Sequence, residues 1–403
     1  MKGKSEEKKQ LLIVTSTFPR WEDDEDPPFI FELCNRLKKD YTIHVLAPHF
    51  PGSRRKAIFS GIHVQRFRYF FKPLEKLAYH GGILAKLKKN PFLYILLPFF
   101  IVGELLALIK LLWHQEFDLI HAHWLIPQGL VAVLACYLTG SKIPLLLTSH
   151  GGDLFGLQGI LMNRIKRWVI LKSDVLTVVS KSMIKEIKRL GADHKRVHVI
   201  PMGVDLKKRF VPAKSRRNND SLLFVGRLVE KKGLQYLIHV LPLILKRHPQ
   251  VYLQIAGDGP EKRKLKRECE KLGISDHVRF LGAVRNDLLP ALYQRSDVVI
   301  FPSVITDDGD QEGFGLVLVE ALGCECAAIV TDLPAMQDII EDGKTGLVVP
   351  QKNIGKLAEK VILLLEDQKL RESLGREGRR YVSRNFDWMV IAGKYRKLIE
   401  SIS

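Results

Sequence analysis

The chain has 403 residues, 46% hydrophobic and 27% charged, which excludes collagen-like, low-complexity and wholly disordered classes and favours two globular domains. Its 63 lysines and arginines against 44 carboxylates give a formal charge of +19, which asks what anion the protein meets: a membrane surface or an anionic substrate. No recognition-helix, zinc-finger or RNA-binding signature accompanies that charge, so nucleic acid is not an expected partner.

The basic N-terminus leads into the apolar run 11–15, too short for a signal-peptide core and read as a first strand. A loop and a helix over 29–39 follow, then strands at 42–47, 118–122, 145–148, 175–179 and 197–200. The second half repeats the pattern, with strands at 222–225, 251–256, 278–281, 298–301, 327–330 and 346–349. Each run is short and rich in Val, Ile and Leu, and a helical pattern separates it from the next. That is the signature of parallel sheets covered by helices on both faces. The polar stretch KKRFVPAKSRRNND, residues 207–220, reads as a linker between two doubly wound domains. Ligands of such folds bind at the carboxyl ends of the strands.

Residues 92–113, FLYILLPFFIVGELLALIKLLW, are long enough to span a bilayer, but Pro98, Gly103, Glu104 and Lys110 interrupt them. A buried or interfacial helix is the expectation. Lys86, Lys88 and Lys89 precede it, and residues 50–115 hold 11 basic against 2 acidic side chains. Apolar surface beside lysines suits a helix lying on an anionic membrane. The five cysteines, Cys34, Cys136, Cys269, Cys324 and Cys326, are few and odd in number. They read as buried small residues in a reducing compartment rather than as a disulfide framework.

Three constellations carry chemistry. Gly226-Arg-Leu-Val-Glu-Lys-Lys-Gly233 follows a strand and opens a helix, so Arg227 and Lys232 project where a diphosphate would be neutralised. Glu312-Gly-Phe-Gly-Leu-Val-Leu-Val-Glu320 places two carboxylates eight residues apart around a helix start near Gly313–Gly315. There the first amides would point at an anion, Glu312 would lie near a reacting centre, and Glu320 could accept from a diol such as a ribose. His150-Gly-Gly-Asp153 puts a histidine after the strand 145–148, with Asp153 orienting the imidazole or capping a helix. His121 and His123 share one strand face without a third metal ligand, and Asp308-Gly-Asp310 reads as a mobile acidic loop.

GRLVEKKG, AGDGP, FLGAV, EGFGLVLVEA and DGKTGLVVP, in this order and spacing and together with HGGD and IPMGVD, resemble the retaining glycosyltransferases of family 4 (glycosyltransferase group 1). The resemblance implies a GT-B fold: two Rossmann-like doubly wound domains facing across a cleft, an acceptor-side domain at 1–206, a nucleotide-sugar domain at 221–384, and a C-terminal helix within 385–403 crossing back. It implies that Arg227 and Lys232 hold the donor diphosphate with the backbone of Gly313, Phe314, Gly315 and Leu316. Glu320 would bind the ribose, the backbone near Val284 would face the base, and Glu312 and His150 would act at the reacting sugar. Asp153 and Asp26 would lie on the acceptor side. The FPRW loop departs from the family's Gly-Gly pair and resembles a subgroup with glycine before an Asp, where this chain has Glu25 before Asp26.

The implied activity is hexosyl transfer, with retention and without a metal or other cofactor, from a UDP- or GDP-linked sugar to a lipid-linked or glycan acceptor. The expected setting is the cytoplasmic face of a membrane, in cell-surface polysaccharide or glycolipid synthesis. A sugar-nucleotide epimerase of the same fold and a non-catalytic membrane-bound sugar-nucleotide-binding protein are the alternatives.

Overall fold

The computed structural model describes residues 8–22, 24, 28–79, 81–191, 196–213 and 221–402. The chain divides into two compact units, one of residues 1–179, 183–200 and 392–403, the other of 180–182 and 201–391.

The first unit is built on an eight-stranded sheet: β1 (Gln10–Val14), β2 (Thr42–Pro48), β3 (Lys56–Phe59), β4 (Ile62–Phe67), β5 (Leu119–His123), β6 (Leu145–Ser149), β7 (Val175–Val178) and β8 (Val197–Val199), in the order β3-β4-β2-β1-β5-β6-β7-β8. All pairs are parallel except β3–β4. β5, β6 and β7 are buried throughout, and Leu, Ile and Val dominate them for that reason, with His121, His123 and three hydroxyl side chains the polar exceptions. The sequence reading places no strand between 47 and 118. β3 and β4 escape it because β3, at the sheet edge, is short and half exposed, so no apolar run marks it.

The helix Leu96–His114 packs one face on this unit, burying Leu96, Phe100, Glu104, Leu108 and Leu111. Gly103, an interruption in sequence, is what allows the approach. A Cβ there would stand 2.6 Å from the Arg68 carbonyl oxygen. Glu104, another interruption, is buried beside Gln128, whose amide donates to both its oxygens at 3.3 Å. Burial pushes its carboxyl up to about 8, against the opposing pull of the Gln128 hydrogen bond. Pro91–His114 is the one helical stretch among the described residues long and apolar enough to cross a membrane by length and composition. Its outer face carries Phe92 (82% exposed), Ile95 (65%), Leu106 (62%) and Trp113 (69%).

The second unit has a six-stranded parallel sheet: β9 (Ser221–Val225), β10 (Tyr252–Ala256), β11 (Val278–Gly282), β12 (Val298–Phe301), β13 (Ala327–Thr331) and β14 (Leu347–Val349), in the order β11-β10-β9-β12-β13-β14. Leu237, Leu241 and Ile244 of the helix Leu234–Leu245 and Val361 and Leu364 of the helix Ile354–Glu366 close one core over it. Each such side chain contributes ~1.5–3 kcal/mol on burial, and truncating one to alanine costs ~2–5 kcal/mol. Of the expected linker, residues 207–213 belong to this unit, where Arg379 donates to the carbonyls of Leu206 and Phe210 at 2.9 and 3.0 Å. Residues 214–220 lie outside the described residues. All five cysteines are free thiols, four of them buried.

Candidate active site

The strand order reverses between β9 and β12, so the loops leaving the carboxyl ends of β11, β10, β9 and β12 stand side by side. Backbone hydrogen bonds tie them together. Gly226 N donates to Ala256 O at 3.0 Å, Leu228 N to Asp258 O at 2.9 Å, Gly257 N to Gly282 O at 2.7 Å and Val304 N to Lys231 O at 2.8 Å. The β9 loop turns at Gly233, whose φ is +64° and where a Cβ would lie 1.8 Å from the Pro302 carbonyl oxygen. Only glycine lets this loop close on the one after β12.

That closure brings the expected cations to the expected carboxylate. Lys232 Nζ donates to Glu312 Oε2 at 2.5 Å. Lys231 Nζ donates to Asp310 Oδ1 at 2.9 Å and to Gln311 O at 3.1 Å. Burial pushes the Glu312 carboxyl up, but Lys232, Lys231 and Arg227 together outweigh it and hold it at about 2. Glu312 is therefore ionised across the physiological range and is not a proton donor. The sequence reading passes over Lys231, and it reads Asp310 as part of a mobile solvated loop. The structure instead fastens that loop to β9's loop through the Lys231–Asp310 pair.

Gly315, at φ +95°, precedes the helix Leu316–Gly323. Phe314 is buried against Phe386 with ring centroids 5.6 Å apart, so Gly313–Leu316 offer a ligand mainly backbone. The first amides of a helix have no intrahelical acceptor and carry partial positive charge. Glu320 lies farther along the same helix, buried, and accepts from Tyr293 Oη at 3.1 Å. Burial pushes its carboxyl up to about 7, against the Tyr293 hydrogen bond and the charge of Arg209. Tyr293 is a partner that the sequence reading does not find. Val284 follows β11 by two residues and is partly exposed.

In the first unit, His150 follows β6 and meets the rings of Trp124, Phe29 and His123 at centroid distances of 5.0, 5.1 and 5.3 Å. Asp153 is buried. Its Oδ2 accepts from Leu125 N at 2.7 Å, and its Oδ1 from Ser149 Oγ at 2.9 Å and His150 N at 3.2 Å. It thus clamps the loops after β5 and β6 and touches the backbone of His150 rather than its imidazole, so of the two expected roles, orienting the imidazole or capping a helix, the first is not what its hydrogen bonds do. The imidazole contact comes from His123, whose Nδ1 lies 3.1 Å from His150 Nε2. Burial pushes the His121 and His150 rings down to about 3 and His123 well below the usual range.

Asp26 lies outside the described residues. Nearby, the Arg20 guanidinium is buried, pairs with Asp24 at 2.5 Å and sits over Trp21, Phe50 and Tyr79. Among the described residues, no group of three or more His, Cys, Asp or Glu is arranged to hold a metal ion.

Residues 29–208 match the family model described as Glycosyltransferase Family 4, and residues 207–381 match Glycosyl transferases group 1. A phosphatidyl-myo-inositol mannosyltransferase of Mycobacterium tuberculosis is 30% identical over 307 residues, which cover 73% of this chain and 76% of that protein. The chain belongs to this glycosyltransferase family. Glycogen synthase of the same organism is 28% identical over 285 residues, 68% of this chain and 66% of its own length. The solved structure of Anabaena HepE in complex with UDP-glucose matches with a TM-score of 0.74 and 19% identity, covering 97% of this chain and 99% of that one. The fold is GT-B, as the sequence resemblance implies.

Proposed function

We propose that this protein is a retaining glycosyltransferase that moves a hexosyl unit from a UDP- or GDP-linked sugar to a lipid-linked or glycan acceptor. One observation carries the reading. Arg227, Lys231 and Lys232 share one loop at the point where the strand order reverses, beside Glu312 and the start of the helix Leu316–Gly323. In this reading Arg227 and Lys232 hold the donor diphosphate with the amides of Gly313, Phe314, Gly315 and Leu316. Glu320 binds the ribose and the backbone at Val284 faces the base. Glu312 and His150 touch the transferred sugar, and Asp153 shapes the acceptor side. A structural relative was solved with UDP-glucose, and a sequence relative is named for mannosyl transfer to phosphatidyl-myo-inositol.

The held negative charge on Glu312 suits a sugar that turns cationic as its bond to the diphosphate loosens. The cations beside it stabilise the leaving group. The acceptor then attacks from the face the diphosphate leaves, and the departing phosphate oxygen takes its proton. Catalysis rests on orientation and on diphosphate stabilisation, with no metal required. The exposed apolar face of Leu96–His114 and the basic excess over 50–115 support a peripheral enzyme on the cytoplasmic side of a membrane.

The test is a panel of UDP- and GDP-hexoses, with and without membrane extract, reading nucleotide release and the anomeric configuration of the product. Acceptor-dependent release with retained configuration is the expected result. Epimerised sugar without an acceptor, or nucleotide-sugar binding with no turnover, would replace this reading with one of the two alternatives.

A further inference from the structure

The helix Gln368–Asn385 carries Arg376, Arg379, Arg380 and Arg384 at the three- and four-residue spacings that share one helix face. Like charges at that spacing repel one another and oppose helix formation. Gly375 and Gly378 weaken the same helix further. Packing explains the glycines. A Cβ on Gly375 would collide with the Glu325 carbonyl oxygen, and one on Gly378 would stand 2.6 Å from Leu322 Cδ2. Their absence lets the helix press on the turn before β13, where Glu325 takes a left-handed φ of +61°. Packing does not explain three of the four arginines. Arg379 points inward and donates to the carbonyls of Leu206, Phe210 and Gly323. Arg376, Arg380 and Arg384 are exposed.

The helix face and the turn border a cavity of about 360 Å³, lined by Glu325, Arg376, Arg379, Arg380, Ser383 and Arg384. Four guanidiniums meet one carboxylate there. The outward arginines are loosely held. Arg376 reaches Glu372 at 3.5 Å and Arg380 pairs with Glu377, each through Nη1 and each between largely exposed side chains. Such surface pairs are weak. Arg384 makes no ion pair among the described residues. Every strand pair of this sheet is parallel, and Glu325 stands just before β13. The cavity therefore lies toward the amino ends of the strands, away from the carboxyl-end loops that carry Arg227, Lys232 and Glu312.

We propose that this cavity is a binding site for a small phosphorylated solute, of the class of pyrophosphate or a sugar phosphate, separate from the loops at the carboxyl ends of the strands. Guanidinium groups grip phosphoryl oxygens through paired N–H donors and stay charged at any physiological pH. The bound anion offsets the repulsion among the arginines, and the Ser383 hydroxyl adds a further donor. The volume is at the small end of small-molecule sites, which run from roughly 300 to 1,000 Å³. No apolar side chain is among the lining residues, so the site offers nothing to a nucleobase or an acyl chain. The inference stands whether or not the chain transfers a sugar.

The test is arginine footprinting of the whole protein with phenylglyoxal, read residue by residue by mass spectrometry. Pyrophosphate, or a hexose phosphate as a second probe, should lower modification of Arg376, Arg380 and Arg384 roughly fivefold or more. Arg164, exposed in the first unit, should react as before. Arg227 is read separately, so binding at the β9 loop is not mistaken for binding here. Sodium chloride at matched ionic strength should not protect. Arg380→Gln/Arg384→Gln should weaken pyrophosphate protection of Arg376 roughly tenfold or more in concentration, with the urea midpoint as the check on folding. Arg380→Lys/Arg384→Lys keeps the charge, loses the paired donors, and should bind between the two. No protection of the three arginines, equal protection by chloride, or protection undiminished in both double variants would overturn the proposal. So would protection by phosphatidylglycerol vesicles and not by pyrophosphate, which would make this face a membrane contact.

Discussion

Lys232→Met tests the charge arrangement at the candidate active site most directly. The substitution keeps the length of the side chain and removes the cation 2.5 Å from Glu312. In the folded protein the Glu312 carboxyl falls from its ordinary 4.5 to about 2, although burial alone would raise it. At 1.36 kcal/mol per pKa unit, this net effect is worth ~3 kcal/mol. Lys232 is the largest of the favourable contributions, with Lys231 and Arg227 behind it. Its removal should therefore cost ~1–3 kcal/mol at pH 7. The sign over pH follows from the depressed value. The stabilisation is fully present above 4.5 and is lost as pH falls through about 2. Urea unfolding of the native protein, Lys232→Met, Glu312→Gln and the double variant forms a cycle that isolates the pair. Coupling of about 1 kcal/mol or more at pH 7, shrinking toward pH 2, is expected. Coupling below ~0.3 kcal/mol at pH 7 would show that the pair exerts no electrostatic hold, and the account of Glu312 would fail. The same variant should lose ~2–4 kcal/mol of transition-state stabilisation in kcat/KM if Lys232 stabilises the leaving group as proposed.

Glu320 should behave oppositely. Its carboxyl is raised to about 7, so its contribution to stability is complete below about 4.5 and is lost as pH rises through 7; Glu320→Gln should flatten that fall relative to the native protein and weaken UDP binding by calorimetry roughly tenfold. Gly233→Ala places a methyl group 1.8 Å from the Pro302 oxygen at a positive φ and should cost ~2–4 kcal/mol in urea unfolding, an unchanged midpoint being the contrary result. Activity should survive EDTA, and rescue of an EDTA-inactivated enzyme by magnesium or manganese would bring Asp308 and Asp310 back into question. In liposome sedimentation the protein should need anionic lipid, release in high salt, and bind less when the exposed Lys72, Lys76 and Lys89 become glutamate. Lys86 is left out of that set because its ammonium already holds the carbonyls of Lys76 and Ala78.

The strands of both sheets were legible wherever a parallel strand is buried on both faces, because such a strand is rich in Val, Ile and Leu. β3 and β4 were not: β3 is an edge strand with no such requirement, and β4 interleaves His63, Gln65 and Arg66 with its apolar residues. In the second unit, the loops carrying Arg227, Lys232 and Glu312 and the helix carrying Glu320 were legible because glycine-flanked loops at strand ends constrain composition locally. Their partners were not. Lys231 and Asp310 are 79 residues apart and Tyr293 and Glu320 are 27 apart, and nothing local in either segment marks the other. The interrupted helix shows the reverse failure. Gly103 and Glu104 look like defects in an apolar span, yet one makes room for the Arg68 carbonyl just past β4 and the other is an inward-facing acid held by Gln128.

The histidine cluster lies between these cases and shows what information was missing. His121 and His123 share a strand face by the two-residue period of a β-strand, which the sequence supplies. That His150 belongs with them follows only once β5 and β6 are known to be neighbours in parallel register, with His123 opposite Thr148. From that register His150 stands two residues beyond His123's partner, at the same end of the sheet, and a ring-to-ring hydrogen bond comes within reach. Strand order is set by helices packing across the whole unit, so it is not a local property of either motif. The HAH and HGGD segments are each ambiguous alone. Their adjacency joins both segments in one buried histidine cluster.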